Sequence, residues 1–224
     1  MVLKKLRLSH FGTNCYIYAD ETTKKAVVID PAAHGDKIAD ELDKLGYKAK
    51  YIIITHAHID HMMGLDELKS RTGAMIAAGY ADSDNVNSNS GSLAEYFHTQ
   101  APKSTVDIRL RDGDELLFSG NVLTIIETPG HTPGGICIYC RNENVLFSGD
   151  TLFNMSVGRT DFPGGSMKSL SDSIRNKLFT LPDETMVYPG HNDDTTIKFE
   201  KENEKTQEDK NIVKDTKEND GPEL

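Results

Sequence analysis

The stretch that decides the fold is Thr55-His56-Ala57-His58-Ile59-Asp60-His61, directly behind the apolar run Tyr51-Ile52-Ile53-Ile54. That run is short and mostly β-branched, so it predicts a buried strand ending at the first histidine. Side chains two apart on extended backbone share one side, which brings His56 and His58 together. Asp60 and His61 fall where the chain bends into the helical pattern Leu65-Asp66-Glu67-Leu68. Three imidazoles and a carboxylate, converging from one loop at a strand end, are donors of intermediate softness suited to Zn²⁺ or Fe²⁺. A polar turn that merely happens to hold three histidines is the plain alternative. The density of donor residues favours the metal.

Around this stretch the pattern alternates. Residues 2–8, 15–20 and 25–30 read as strands, the last two joined by the turn Asp20-Glu21-Thr22-Thr23. Gly35 to Leu45 is an amphipathic helix closed by Gly46, and a second helix runs through Arg71 to Gly73, ahead of the strand Ala74-Met75-Ile76-Ala77. Strand, helix, strand, helix, strand gives an α/β layer. Residues 79–105 break the rhythm with the polar run Ala81-Asp82-Ser83-Asp84-Asn85, followed by a predicted short helix around Leu93-Ala94-Glu95-Tyr96-Phe97. Long excursions of this kind are functional or plain surface, so the segment is a candidate lid. From 107 to 148 short strands are separated by Asp-Gly, Ser-Gly and Asn-rich turns; a helix over about 168–181 and the strand Thr185-Met186-Val187-Tyr188 follow. Two such halves suggest two sheets packed face to face between helical layers.

The 224 residues suffice for one large domain. Hydrophobic content of 37% without a long apolar run excludes a membrane-spanning helix. The N-terminal stretch lacks the apolar core of a signal peptide. A net charge of -10 disfavours nucleic acid and anionic membranes, because phosphate binding needs clustered Lys and Arg. Cys15, Cys137 and Cys140 form no disulfide framework. In a strand, Cys137 and Cys140 point to opposite faces, and buried reduced thiols in a cytoplasmic protein are the expected state. The domain is expected over residues 1–200. Residues 201–224, rich in Glu, Lys, Asn and Asp, are expected to form an acidic disordered tail.

Three further stretches pair a short strand with a ligand-type residue beside glycine or proline: Glu127-Thr128-Pro129-Gly130-His131, Phe147-Ser148-Gly149-Asp150 and Val187-Tyr188-Pro189-Gly190-His191. With His56-Ala57-His58-Ile59-Asp60-His61 they resemble the metallo-β-lactamase fold superfamily over about residues 2–200, whose pattern is H-x-H-x-D-H, then a lone His, a lone Asp and a final His. The resemblance implies an αββα four-layer sandwich, two mixed β-sheets flanked by helices, with two metals at the sheet edge. It implies that His56, His58 and His131 bind one metal and Asp60, His61 and His191 the other, with Asp150 bridging. Zinc is the expected pair, with iron or manganese as substitutes. His10, His34 and His98 match no ligand element.

Gly158-Arg159-Thr160-Asp161-Phe162-Pro163-Gly164-Gly165 and the Tyr188–His191 stretch look like the short members of the hydroxyacylglutathione hydrolase (glyoxalase II) branch. What that resemblance implies is a hydrolase acting on a small-molecule thioester. Two cations would hold hydroxide near neutral pH for attack on the carbonyl, with Asp60 and Asp150 as the catalytic carboxylates. Thiolate leaves without a dedicated general acid, its conjugate acid having a pKa of about 8.5. Arg159 and Phe153 are candidate substrate contacts, and Arg159 with Asp161 also reads as a structural ion pair. A neighbouring branch, persulfide dioxygenase, would hold one iron on His56, His131 and Asp150. A metal-stabilised binding module without activity is the non-enzymatic alternative.

Overall fold

In the computed structural model, residues 1–204 are described; the tail expected from 201 lies outside them except for its first four residues. One sheet runs β1 (Val2–Arg7), β2 (Asn14–Asp20), β3 (Lys25–Ile29), β4 (Lys48–Ile54), β5 (Met75–Gly79) and β6 (Ile108–Leu110), in that spatial order. Helices α1 (Gly35–Leu45) and α2 (Leu65–Thr72) form the crossovers between β3, β4 and β5, which are parallel. The second sheet holds β7 (Glu115–Phe118), β8 (Asn121–Glu127), β9 (Ile136–Cys140), β10 (Val145–Gly149), β13 (Met186–Pro189) and β14 (Thr195–Thr196), with β10 and β13 parallel. A small hairpin, β11 (Leu152–Phe153) with β12 (Ser156–Val157), precedes α3 (Met167–Asn176).

Side-chain alternation builds the layers. In β2, Cys15, Ile17 and Ala19 pack outward with Ile38 and Leu42 of α1 and Leu65 and Leu68 of α2. The intervening Tyr16 and Tyr18 face the second sheet, against Phe118, Ile138 and Phe147. That sheet's other face, Cys137, Tyr139, Leu146 and Val187, is covered by Leu170 and Ile174 of α3. Two mixed sheets flanked by helices give the expected αββα sandwich. Cys137 and Cys140 lie on opposite faces, and all three cysteines are free and buried.

Three local expectations are corrected. Residues 93–97 are turns rather than a helix, because Leu93 (φ 62) and His98 (φ 54) take left-handed backbone that no α-helix continues through. The helix expected to reach Leu181 stops at Asn176, and Leu178–Thr180 is a separate 3-10 turn. Between them Lys177 holds the tip of β8 through its ammonium, bonded to Asp112 and to the Glu127 carbonyl at 2.8 Å each. Residues 197–204 are helical, and Lys201 pairs with Asp183 at 2.7 Å, so helix crosses the boundary expected at residue 200.

Candidate metal centre

Parallel strands in both sheets end at one edge, and the donors hang from those ends. The end of β3 lies beside that of β4, Asp30 N donating to the Ile53 carbonyl at 3.0 Å. In the other sheet Gly149 pairs with Pro189, which brings Asp150 and His191 to the same level. The sheets are tied across this edge by Asn14 N to Gly190 O at 2.7 Å and Ile136 N to Thr55 O at 2.9 Å. Backbone approach at Gly190 is close: a Cβ there would sit 2.2 Å from Asp150 Oδ1 and 2.7 Å from His61 Cε1. Only glycine fits.

All seven predicted donors converge. Ligand atoms lie within 4.8 Å of one another in each of three overlapping groups: His56, His58 and His131; His56, His61 and Asp150; and Asp60, His61 and His191. Asp150 touches several members at once. Its Oδ1 is 3.4 Å from His61 Nε2, and its Oδ2 is 3.6 Å from His131 Nε2 and 3.5 Å from His191 Nε2. Asp60 Oδ2 faces His191 Nε2 at 3.3 Å and His61 Nε2 at 3.6 Å. His10, His34 and His98 belong to none of these groups.

The chemistry of the donors fits cations. Among the described residues, the buried polar side-chain atoms without a hydrogen-bond partner include His56 Nε2, His61 Nε2, His131 Nε2 and Asp150 Oδ1. Such atoms are expensive to bury, yet these four point into one place. Burial and the surrounding imidazoles push His56 well below the ordinary histidine range and His58 down to about 3, so both offer neutral nitrogen. Burial also works against charge on His61, but Asp150, Asp60 and Asp30 outweigh it and hold its pKa high. Asp60 and Asp150 pay a desolvation cost, which the neighbouring His61 overcomes, so both remain carboxylates. The cluster demands positive charge, carried by a proton or by a metal ion.

Three of the imidazoles are held at their other nitrogen, His56 Nδ1 lying 3.1 Å from Thr55 Oγ1. His131 Nδ1 donates to the Arg159 carbonyl at 2.7 Å, and His61 Nδ1 to Asp30 Oδ2 at 2.9 Å. Asp30 also accepts from Thr55 N at 2.8 Å and from Thr55 Oγ1 at 2.7 Å. Asp82 does the same for two loops. It accepts from Ala57 N at 3.1 Å, Thr132 Oγ1 at 2.7 Å and Gly134 N at 2.8 Å, joining the His56–His58 segment to the His131 turn. Sequence reasoning missed both carboxylates. The signal for Asp30 was a lone acid closing an apolar strand before Pro31; Asp82, inside a polar run, gave none.

Of the substrate candidates, Phe153 is buried, its ring perpendicular to His191 with centroids 6.1 Å apart. Arg159 is engaged: Nε and Nη2 donate to Asp161 at 2.7 and 2.6 Å, and Cζ lies 4.0 Å from the Phe162 ring centroid. The guanidinium holds the Asp161 carboxyl down at about 2.

The profile of the Metallo-beta-lactamase superfamily matches residues 8–191. Hydroxyacylglutathione hydrolase GloC of Haemophilus influenzae is 32% identical over 210 residues, covering 90% of this chain and 95% of that protein. Among solved structures, the BLEG-1 B3 metallo-beta-lactamase aligns with a TM-score of 0.84 at 31% identity, over 89% of this chain and 96% of its own. ETHE1 from Myxococcus xanthus gives 0.74 at 32% identity, over 90% and 82%. TTHA1623, solved in a di-iron-bound form, gives 0.77 at 29% identity, over 88% and 96%. Together with the αββα layers and the His/Asp cluster at their edge, these matches identify the chain as a member of the metallo-beta-lactamase superfamily.

Proposed function

We propose that this chain is a dinuclear metallo-hydrolase that cleaves a small thioester in the cytoplasm. The observation that carries the reading is Asp150, whose two carboxylate oxygens lie within 3.6 Å of His61, His131 and His191. His56, His58 and His131 would hold one ion and Asp60, His61 and His191 the other, with Asp150 shared. Zinc suits this donor set, and iron or manganese would also be accepted. When bound, such a pair supplies activation of water at neutral pH and polarisation of a carbonyl.

The chain's own residues do the rest. Asp30 and the Arg159 carbonyl fix the tautomers of His61 and His131, so that each presents Nε2 to the centre. Thr13 Oγ1 donates at 2.9 Å to Asp60 Oδ2, the oxygen that faces His61 and His191, and so fixes that carboxylate within the donor group. Every donor is in place before substrate arrives, so little reorganisation accompanies reaction.

Thioester is favoured over amide because an amine must be protonated as it leaves, and the acids and histidines of the centre are taken up by the donor set. The relative named hydroxyacylglutathione hydrolase supports the same class over 90% of this chain. The three free buried thiols suit a reducing compartment.

The test is metal content of natively purified protein together with kcat and KM on S-lactoylglutathione, beside a matched thioester lacking the γ-glutamyl and glycine groups. Two ions per chain and hydrolysis of both thioesters support the reading. One iron with oxygen consumption on glutathione persulfide would replace it by the dioxygenase, for which His56, His131 and Asp150 supply the two-His, one-carboxylate set. No metal and no turnover would leave a binding module.

A further inference from the structure

The rim of the centre carries rings that the donor set does not use. Phe162 stands edge-on to His58 with centroids 5.8 Å apart. Tyr96 packs on Phe162 at 5.7 Å, Phe97 on Tyr96 at 5.1 Å, and Phe11 on Phe97 at 5.2 Å. Phe11 in turn lies two residues before Thr13, whose hydroxyl holds Asp60. The four rings therefore form an arc from a histidine of one donor group to the residue that supports a carboxylate of the other. They come from three loops distant in sequence, and none is buried; Tyr96 is 67% exposed.

Rings gathered at a surface beside a reactive centre make a ligand wall more readily than a core. The backbone is built to present them. Leu93 and His98, which bracket Tyr96 and Phe97, both hold the left-handed conformation that such residues seldom adopt. The segment is pinned to the metal loop by Ile59 N donating to Ser92 O at 2.9 Å. The charges that border the centre are already matched: Arg159 with Asp161, Arg7 with Asp193, and Lys5 with Asp194. This rim suits an apolar group better than the carboxylates of a peptide-like thiol.

We propose that Phe11, Tyr96, Phe97 and Phe162 form a binding wall for an apolar chain or ring of the substrate, and that this group sets specificity. The proposal rests on the thioester reading above. The apolar group could belong to the acyl part or to the thiol part, and two substrate series separate these.

The experiment uses the full chain with its native metals. One series keeps the thiol and lengthens the acyl group from acetyl to hexanoyl, with benzoyl added; the other keeps acetyl and lengthens an alkyl thiol. The expected result is a rise in kcat/KM of about fourfold per methylene in one series, carried mainly by KM. Tyr96→Ala and Phe97→Ala should flatten that slope to below about twofold, whereas Tyr96→Phe keeps it. Calorimetry with an uncleavable thioether of the longest member provides a readout independent of turnover, expected to weaken about tenfold in Tyr96→Ala. A rise in either series supports the wall and assigns the side it serves. Flat slopes in both series of the parent protein, or slopes unchanged in the alanine variants, overturn the wall and leave the thioester reading standing. If no thioester is cleaved, the thioester reading falls, and the thioether still decides the wall: affinity that ignores chain length and Tyr96 overturns it as well.

Discussion

Replacing Asp30 with asparagine tests the centre through a residue that belongs to none of the donor groups but holds one of their members. The carboxylate accepts three hydrogen bonds, from Thr55 N at 2.8 Å, Thr55 Oγ1 at 2.7 Å and His61 Nδ1 at 2.9 Å, and is 1% exposed. Because the carboxylate can only accept, His61 keeps Nδ1 protonated, so Nε2, 3.4 Å from Asp150 Oδ1, is the nitrogen left to ligate once an ion displaces its proton. Asparagine cannot satisfy all three donors. Thr55 N must keep the amide oxygen, so the amide NH₂ faces His61 Nδ1 and drives the proton to Nε2. A protonated Nε2 ligates nothing. Restoring the ligating tautomer sets N–H against N–H, at a cost of about 1–3 kcal/mol for a buried unpaired donor. That corresponds to a loss of about 5- to 150-fold in affinity for the ion on Asp60, His61 and His191. Turning the amide over merely moves the unpaired donor to Thr55.

The assay is competitive titration of metal-stripped protein against a chelator, fitted to two sites. Asp30→Asn should bind its second ion about 10- to 100-fold more weakly and its first ion with a smaller loss, since Asp30 bonds His61 directly but reaches His56 only through Thr55 Oγ1, 3.1 Å from His56 Nδ1. Thermal melting of the metal-stripped variant should also fall, because Asp30 is one of three carboxylates that favour the charged imidazole of His61. Two unchanged affinities would refute the tautomer argument, and loss of the first ion ahead of the second would refute the assignment of His61. Asp30→Ala serves as the outer bound. It strands three buried donors at about 1–3 kcal/mol each, a sum comparable to the stability of a whole domain, so poor folding is expected.

Asp150→Ala should reduce turnover further than His191→Ala, because in the proposed bridging role Asp150 would serve both ions and His191 one; equal metal content and activity in the two variants would end the bridging assignment. Gly190→Ala, whose methyl would sit 2.2 Å from Asp150 Oδ1, should lower both turnover and melting temperature, measured side by side. A variant with parent-like values for both would show that β13 can yield there. Burial and the charge of Asp30 push the Cys15 thiol up, and burial pushes Cys137 up to about 11. Both are therefore protonated as well as covered at pH 8, and an aromatic disulfide reagent should label no cysteine in native protein but all three after denaturation.

The seven donors that the fold gathers were legible in the sequence because metal chemistry restricts residue type: a histidine or aspartate beside glycine at a strand end has few other reasons to recur. The sandwich was legible because strand and helix periods alternate in order. What β2 buries was less so. Asn14 to Ala19 is covered on both faces, and a run of that kind carries no alternation to say which face meets the partner sheet. The helix expected at 93–97 fails because left-handed backbone at Leu93 leaves no mark in an apolar pattern. Asp30 and Asp82 stayed silent for a different reason. Their partners are Thr55, His61, Ala57, Thr132 and Gly134, 25 to 52 residues away, and most donate the bond through backbone N–H or hydroxyl groups that any sequence supplies. A residue that binds metal is recognised by what it is; a residue that aims a ligand is defined by where the fold puts it. The same holds for the ring arc, whose four members come from loops joined only at the rim. Catalytic class is therefore read earlier than specificity, and the substrate of this chain is a question about positions that only the folded loops bring together.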